Sequence, residues 1–435
     1  MYIAADDTDS STWMCTTFLA TELVRALPDL DLIGLPRLVR LNPAVPWKTR
    51  GNGAICIRVG EGAGHPRWMG RMDGRDLFCY ARSKSEPSAS EVLDRCVPVM
   101  ERWSQTDDAD PGLVVTPRPP SPELYRRAVS RIIDKEEALA ALREVGALTY
   151  EINSGRGLIG AASAAAWRPM DRTYEVLTYR RRERWGLPRE VSERDIAQLD
   201  QRFPSTFNNY EHIACRPAIV PHTTCPVLYG VRGDSPLQLI AAQASIGSEE
   251  VDRWMMFITN QGTDDHIIAD WTDLAPNSSY DVEGEVLAPP RTIPGGHVIV
   301  ALGTSAGPLD GAAYEPSKGF RDIVRELRPG DRVRVMGELR ESPRTLNIEK
   351  LEVKALAPSA VKVSNPRCPQ CGRRMRSAGR GAGYRCRECG TKAPSAVFRP
   401  EDRRLVPGWY EPPVCARRHI SKPLKRMGIQ STIVV

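Results

Sequence analysis

The sequence predicts a multidomain protein in which an α/β segment and an α+β segment precede a small β-barrel and a C-terminal zinc ribbon. Three observations carry that reading. The apolar stretch Tyr2–Ala5 runs into the acidic turn Asp6-Asp7-Thr8-Asp9-Ser10 and then into a helical pattern. Between residues 280 and 355 the chain becomes a series of short apolar strands divided by Pro and Gly. Cys368-Pro-Gln-Cys371 is followed, fourteen residues later, by Cys386-Arg-Glu-Cys389. A chain of 435 residues has room for several domains of ordinary size.

Taken in order, residues 2–5 read as a buried strand. Residues 13–27 read as a helix with Met14, Phe18, Leu19, Leu23 and Leu27 on one face. Residues 32–41 and 54–59 read as strands joined by the turn-rich Lys48–Gly53. Residues 60–87 are Gly/Arg-rich with no clear pattern. Residues 90–104 read as a helix, 112–117 as a strand and 121–145 as helical. These elements make a first domain over 1–147. A second, over 148–272, reads as strand 148–153, helix 155–167, strand 173–180, short helix 192–202 and strands 226–233, 237–244 and 254–260. That series fits the β-α-β-β-α-β order of a ferredoxin-like domain. Over 273–358, strands at 280–290, 297–304, 331–341 and 345–353 fit a five-stranded OB barrel, with a generic sandwich as the alternative. Residues 359–435 form the zinc ribbon and a basic tail.

Composition narrows the class. Hydrophobic residues are 41%, enough for ordinary cores. No run approaches the about 18 apolar residues of a membrane span, and the start lacks a secretory pattern, so a cytoplasmic protein is expected. Residues 359–435 hold 17 Lys and Arg against 4 Asp and Glu, a local positive field suited to a polyphosphate backbone. Disulfides are not expected among the 11 cysteines in that setting. Cys15, Cys56, Cys79, Cys96, Cys215, Cys225 and Cys415 read as small buried residues.

The candidate sites follow from residue chemistry. Cys368, Cys371, Cys386 and Cys389 supply four thiolates, a closed tetrahedral set that makes the zinc structural. Gly372 and Gly390 permit the tight turn each knuckle needs. The neighbouring arginines look like phosphate or base contacts. Asp6, Asp7 and Asp9 repel one another unless a hard cation sits among them, and the end of a sheet strand is where α/β proteins place ligands. An Asx turn with a helix cap would use the same residues. Thr16 and Thr17 stand in the first turn of the following helix, at the positive end of its dipole, where they can bind phosphate, accept it, or simply cap. Lys48-Thr49-Arg50-Gly51-Asn52-Gly53 can cradle a triphosphate or form a hairpin turn. Gly155-Arg156-Gly157-Leu158-Ile159-Gly160 matches GxGxxG but lacks the partnering acid of a dinucleotide site, leaving anion binding or close helix packing. By composition alone, 221–233 and 259–266 read as ordinary loops beside strands.

Five of these segments together resemble the archaeal tRNA agmatinylcytidine synthetases: residues 6–17, 36–54, 155–161, 226–233 and 257–266. The resemblance covers nearly the whole chain. It implies a kinase-like, ATP-dependent catalytic domain over 1–147, then the ferredoxin-like, OB and zinc-ribbon units. It implies an enzyme that uses ATP to activate C2 of the wobble cytidine in the CAU anticodon of an isoleucine tRNA and attaches agmatine, so that AUA is read. By that resemblance Asp6, Asp7 and Asp9 hold Mg²⁺ and the ATP phosphates, with Asp7 and Asp9 as the magnesium ligands. Thr16 matches a position that carries phosphate in the family. Lys48 and Arg50 hold phosphate, joined around ATP by Thr8, Ser10, Thr17, Gly51, Asn52 and Gly53. The OB and ribbon units hold the tRNA. The chemistry is coherent, because phosphorylating the C2 oxygen turns a poor leaving group into a good one, and extruding a loop base costs least. The chain departs from the family at Trp13, where glycine is usual before Met-Cys-Thr-Thr. Agmatine is a dication, and Asp264 or Asp265 are candidates for its guanidinium. A monomer is favoured and no membrane partner is expected. The rival class is a non-enzymatic nucleic-acid-binding protein with OB and zinc-ribbon modules, separable by ATP turnover.

Overall fold

The computed structural model describes residues 1–10, 13–47, 52–104, 107–212 and 214–429. The longer elements of the first part are β1 (Tyr2–Asp6), α1 (Thr16–Arg25), β2 (Asp31–Ile33), β3 (Arg37–Arg40), β4 (Gly53–Gly60), β5 (Arg67–Met72), β6 (Arg75–Tyr80), α2 (Ala89–Trp103), β7 (Gly112–Thr116), α3 (Pro122–Ser130), α4 (Lys135–Glu144) and β8 (Leu148–Glu151). They continue as α5 (Gly157–Ala166), β9 (Thr173–Arg180), β10 (Val227–Gly233), α6 (Pro236–Ala244) and β11 (Val251–Thr259).

These strands form one sheet in the order β8-β7-β1-β4-β2-β6-β5-β11-β9-β10, with β3 pairing both β4 and β11. The sheet is therefore continuous between residues 1–147 and 148–272. Alternation along β1 builds two layers of core: Ile3 and Ala5 face α1 and α2, whereas Ala4 faces α3, α4 and α5. The centre of the sheet is thus covered on both faces, and the carboxyl end of β1 opens at its rim.

Several sequence expectations are corrected here. Residues 237–244 are helix α6, not a strand. The Ser235 hydroxyl accepts the Gln238 N–H and Pro236 sits in the first turn, so start signals outweigh the apolar run. Met14 lies outside α1, which begins at Thr16 behind an extended Cys15, and Met14 itself has φ 64°. Residues 32–41 break at Gly34 and Pro36 into β2 and β3. Residues 121–145 break at 131–134 into α3 and α4, and 192–202 is two short helices. The unpatterned 60–87 contains the β5–β6 hairpin, whose exposed Trp68 and Phe78 obscure its alternation.

The barrel comprises β12 (Ser278–Val286), β13 (His297–Thr304), β14 (Gly307–Ala313), β15 (Arg332–Leu339) and β16 (Thr345–Ala355). Its ring closes in the order β12-β15-β16-β14-β13-β12, and β14 runs parallel to β16. Val282, Val300, Val335 and Leu351 fill its interior. A two-stranded neck of β17 (Ala360–Ser364) and β18 (Val397–Pro400) carries the cysteine knuckles. The chain then returns. Gly408–Tyr410 pairs with β16, and residues 411–429 run back to the main sheet, where the Gly262 N–H donates to the His419 carbonyl at 2.9 Å. The tail's cations are consequently ion-paired: Arg417 with Glu411, Arg418 with Glu338 and Glu349, Lys422 with Asp171, and Arg426 with Asp171 and Asp234. The positive field expected of 359–435 is therefore left mainly to the ribbon.

Candidate active site

One cleft of about 930 Å³, its open mouth included, gathers most of the residues expected at the site. Asp6, Asp7, Asp9, Thr16, Thr17, Asn52 and Gly53 all line it. Lys48, Thr49, Arg50 and Gly51 lie outside the described residues. The turn after β1 is held in a conformation few residues adopt: Asp7 has φ 55°. Its Oδ2 accepts the Asp110 N–H at 3.3 Å and faces Arg156 Nη2 at 3.3 Å. Arg156 Nη2 also stands 3.0 Å from Asp110 Oδ2.

Thr8 and Ser10 are buried and tie the turn to α1. The Thr8 hydroxyl donates to that of Thr16 at 3.2 Å. Ser10 and Trp13 close on each other through the Ser10 N–H to the Trp13 carbonyl and the Trp13 N–H to Ser10 Oγ, both 2.9 Å. Thr16 and Thr17 occupy the first turn of α1, where the N–H groups have no intrahelical acceptor. Trp13 does not crowd this turn. Its ring packs edge-on against Trp185 at 5.7 Å, in a cluster with Phe18 and Trp103.

Electrostatics favour a bound cation or a shared proton. Burial, then the charges of Asp7 and Asp9, push the Asp6 carboxyl up to about 8. Burial also raises Asp7, against the pull of Arg156. Asp110 resists its burial and is lowered by the Ser154 N–H and by Arg156.

The glycine motif serves close approach. A Cβ on Gly157 would lie 2.4 Å from the Asp6 carbonyl oxygen. One on Gly160 would lie 1.7 Å from Asp6 Oδ2. Asn52 and Gly53 do not form a two-residue hairpin, because β3 ends at Arg40 and β4 begins at Gly53 across a long loop. Gly53 instead leaves room for the Arg40 guanidinium, 2.7 Å from where its Cβ would be.

The segments read as loops prove to be clasps. Asn260 accepts the Arg40 N–H at 2.7 Å and donates to the Arg40 carbonyl at 2.8 Å, fastening β3 behind the cleft. It also donates to Tyr125 OH, which in turn donates to Asp265 at 2.6 Å. Gln261 bonds Glu175, which accepts from Arg232 at 2.9 Å. Asp264 pairs with buried Lys350 and accepts the Lys422 N–H at 2.7 Å. Both aspartates suggested for agmatine are thus committed to internal partners, which weighs against that suggestion. Sequence reasoning gave no role to Asp110, Arg40, Trp47 or Arg156; Arg40 and Trp47 lay in the 36–54 segment and Arg156 in the glycine motif, whereas Asp110 lay in neither.

Among the described residues, the four cysteines are the one group whose ligand atoms gather tightly enough for a metal. The Sγ atoms of Cys368 and Cys389 are 3.3 Å apart, and those of Cys371 and Cys389 are 4.0 Å apart. Zn–S bonds of about 2.3 Å need spacings near these. Both following glycines take positive φ, 69° at Gly372 and 73° at Gly390, as the knuckles require. Cys56, Cys79, Cys96 and Cys225 are buried as expected. Cys15 is only half-buried on the cleft wall, Cys215 is exposed on a turn, and Cys415 is exposed in the short 3-10 helix Val414–Ala416. No helix among the described residues is long and apolar enough to cross a membrane.

Comparison with known proteins agrees along the chain. Family models match at residues 2–154 (TiaS TCKD domain), 155–266 (TiaS FLD domain) and 365–405 (TiaS C-terminal zinc ribbon domain). The isoleucine-tRNA 2-agmatinylcytidine synthetase TiaS of Methanosarcina mazei is 39% identical over 440 residues, covering 98% of this chain and 97% of that protein. The crystal structure of a complex of TiaS with its isoleucine tRNA and ATP superposes with a TM-score of 0.84 at 36% identity, covering 100% of this chain and 99% of that one. That of a complex of TiaS with the same tRNA, AMPCPP and agmatine has a TM-score of 0.82 at 34% identity, covering 100% and 98%.

Proposed function

This chain belongs to the TiaS family, the isoleucine-tRNA 2-agmatinylcytidine synthetases, and on that premise we propose that the cleft at the end of β1 is where ATP activates the cytidine. The protein is an ATP-dependent ligase that joins agmatine to a cytidine of an isoleucine tRNA through a carbon–nitrogen bond. The observation that carries the site is the meeting of the Asp6–Asp9 turn with the Thr16 and Thr17 hydroxyls in one cleft. A phosphoryl group passes from ATP to O2 of the wobble cytidine in the CAU anticodon. The agmatine amine then bonds C2 as the C2–O bond breaks, phosphate departs with the electron pair, and the amine gives up a proton. The product lets the tRNA read AUA.

Catalysis of this kind is largely positioning and charge neutralisation. In this reading Asp6, Asp7, Asp9 and Thr16 are the catalytic residues. Thr8, Ser10, Thr17, Lys48, Arg50, Gly51, Asn52 and Gly53 surround the nucleotide, and Thr16 carries phosphate. Mg²⁺ needs only one or two carboxylates beside phosphate oxygens and water, so Asp7 and Asp9 fit it; bound there it would neutralise phosphate charge. Asp7's tight αL turn keeps its carboxylate in place for that purpose.

The finer architecture is also a proposal: a kinase-like domain over 1–147, a ferredoxin-like domain over 148–272, an OB barrel over 273–358 and the ribbon with its tail over 359–435. The barrel's ring order, with its one parallel pair, supports the OB assignment. The barrel and ribbon grip the tRNA, the enzyme acts as a monomer, and it works in the cytoplasm. A binding-only protein would leave the acidic cleft without a use.

The test supplies Mg-ATP, labelled agmatine and an unmodified transcript of the isoleucine tRNA with the CAU anticodon, with a methionine elongator tRNA of the same anticodon as control. Label in the first tRNA alone, lost in Asp7→Ala and Asp9→Ala, is the expected result. Label that persists in both variants would remove the cleft from the reaction.

A further inference from the structure

Arg156 belongs to the glycine motif that the proposed chemistry leaves without a use. Its Nη2 stands 3.3 Å from Asp7 and 3.0 Å from Asp110. Its guanidinium lies 5.9 Å from the ring of Trp47, which is 46% exposed at the cleft wall. The backbone around it is pinned: the Gly157 N–H donates to the Asp110 carbonyl at 2.8 Å, and the Ser154 N–H to Asp110 Oδ1 at 3.0 Å. The side chain is not pinned in the same way. It is 32% exposed, and its contact with Asp7 is long. A guanidinium fork fits phosphate oxygens as well as it fits a carboxylate. A cation arriving at Asp7 would be repelled by a guanidinium on the same oxygen.

We infer that Arg156 is an exchange cation: it neutralises Asp7 until nucleotide enters, and then leaves Asp7 to pair with the phosphate oxygens of ATP. Asp110 is the fixed pivot that keeps the guanidinium within reach of both. This rests on the nucleotide site proposed at Asp6–Asp9.

The exchange gives opposite effects on two affinities, which a structural strut does not. The full chain is titrated with Mn²⁺ alone, read by electron paramagnetic resonance, and separately with AMPCPP, in wild type, Arg156→Gln and Arg156→Lys. Arg156→Gln is expected to bind Mn²⁺ about fivefold tighter or more, because its competitor is gone, and AMPCPP weaker by a similar factor. Arg156→Lys keeps the charge without the fork, so Mn²⁺ affinity returns towards wild type while AMPCPP stays weakened. Weakening of both ligands in Arg156→Gln, or no change in either, overturns the inference. Should Arg156→Gln fail to fold, Arg156→Lys still decides, since wild-type AMPCPP affinity there would overturn it. Unchanged AMPCPP affinity in Asp7→Ala would instead overturn the nucleotide site itself.

Discussion

Gly160 lies against the carboxyl of Asp6 so closely that a Cβ there would fall 1.7 Å from Oδ2. Helix α5 can therefore cross the end of β1 only if residue 160 has no side chain. Alanine is the better helix former by about 1 kcal/mol, which offsets only part of a clash worth roughly 1–3 kcal/mol, so Gly160→Ala should still fold but melt a little below wild type. Asp6 must move, however, and a misplacement of about 1 Å can cost roughly 100-fold in rate. Agmatine incorporation should fall by that order while the fold survives. A variant within twofold of wild type would show that the placement of Asp6 does not matter.

Trp13 and Trp185 answer a second question, how a bulky ring is accommodated just before Met14-Cys15-Thr16-Thr17. The Trp13 ring leaves the turn and joins an aromatic cluster whose members meet edge to face. Trp13→Gly should cost about 2 kcal/mol of stability through lost packing. Because Ser10 holds the turn through the backbone of residue 13, the rate should stay within a few fold. Melting curves and label incorporation, measured together, check both. A large loss of rate with an unchanged melting temperature would place the ring in the chemistry.

The parts of this molecule legible in its sequence are those whose partners are near in the chain. Cys368, Cys371, Cys386 and Cys389 declare themselves by spacing, and the strand–acidic turn–helix beginning at Tyr2 does so by order. Arg156 was visible as part of a motif, but its meaning depends on Asp7, 149 positions away. Asn260 looked like a loop residue because nothing local reveals that it completes the edge of β3 at Arg40. The tail's arginines looked like a free positive surface because Glu338, Glu349 and Asp234 reach them only through folding. At residues 237–244 the failure was local, since one capping serine and one proline outweighed an apolar run.

The ribbon offers a test of which half holds which substrate. Its four thiolates sit in a module apart from the cleft, and the zinc they fit would stabilise that module directly. Cys371→Ser should release zinc and weaken tRNA binding by about tenfold or more, as its arginines lose their arrangement. AMPCPP affinity should be unchanged. The metal is counted by mass spectrometry and the two affinities are measured on the same preparation. Loss of AMPCPP binding alongside zinc would mean that the ribbon supports the cleft as well.

Where the barrel meets the main sheet, a buried charge cluster predicts a pH dependence. Burial opposes the charge on Glu349, but His266 Nε2 at 3.0 Å, Arg418 at 3.1 Å and neighbouring Lys350 outweigh it. The carboxyl is held down at about 2, against 4.5 for a free glutamate. A folded value below the unfolded one means that the group stabilises the protein at and above pH of about 4.5. That contribution fades as pH falls from there towards about 2. Its full size is on the order of 3 kcal/mol. Glu349→Gln should therefore melt well below wild type near neutral pH, and the gap should narrow as both are titrated down to about pH 3. Arg418 also reaches Glu338, so part of the pairing outlasts the substitution. A gap that stays constant across the titration would show that Glu349 acts through packing and not through its charge.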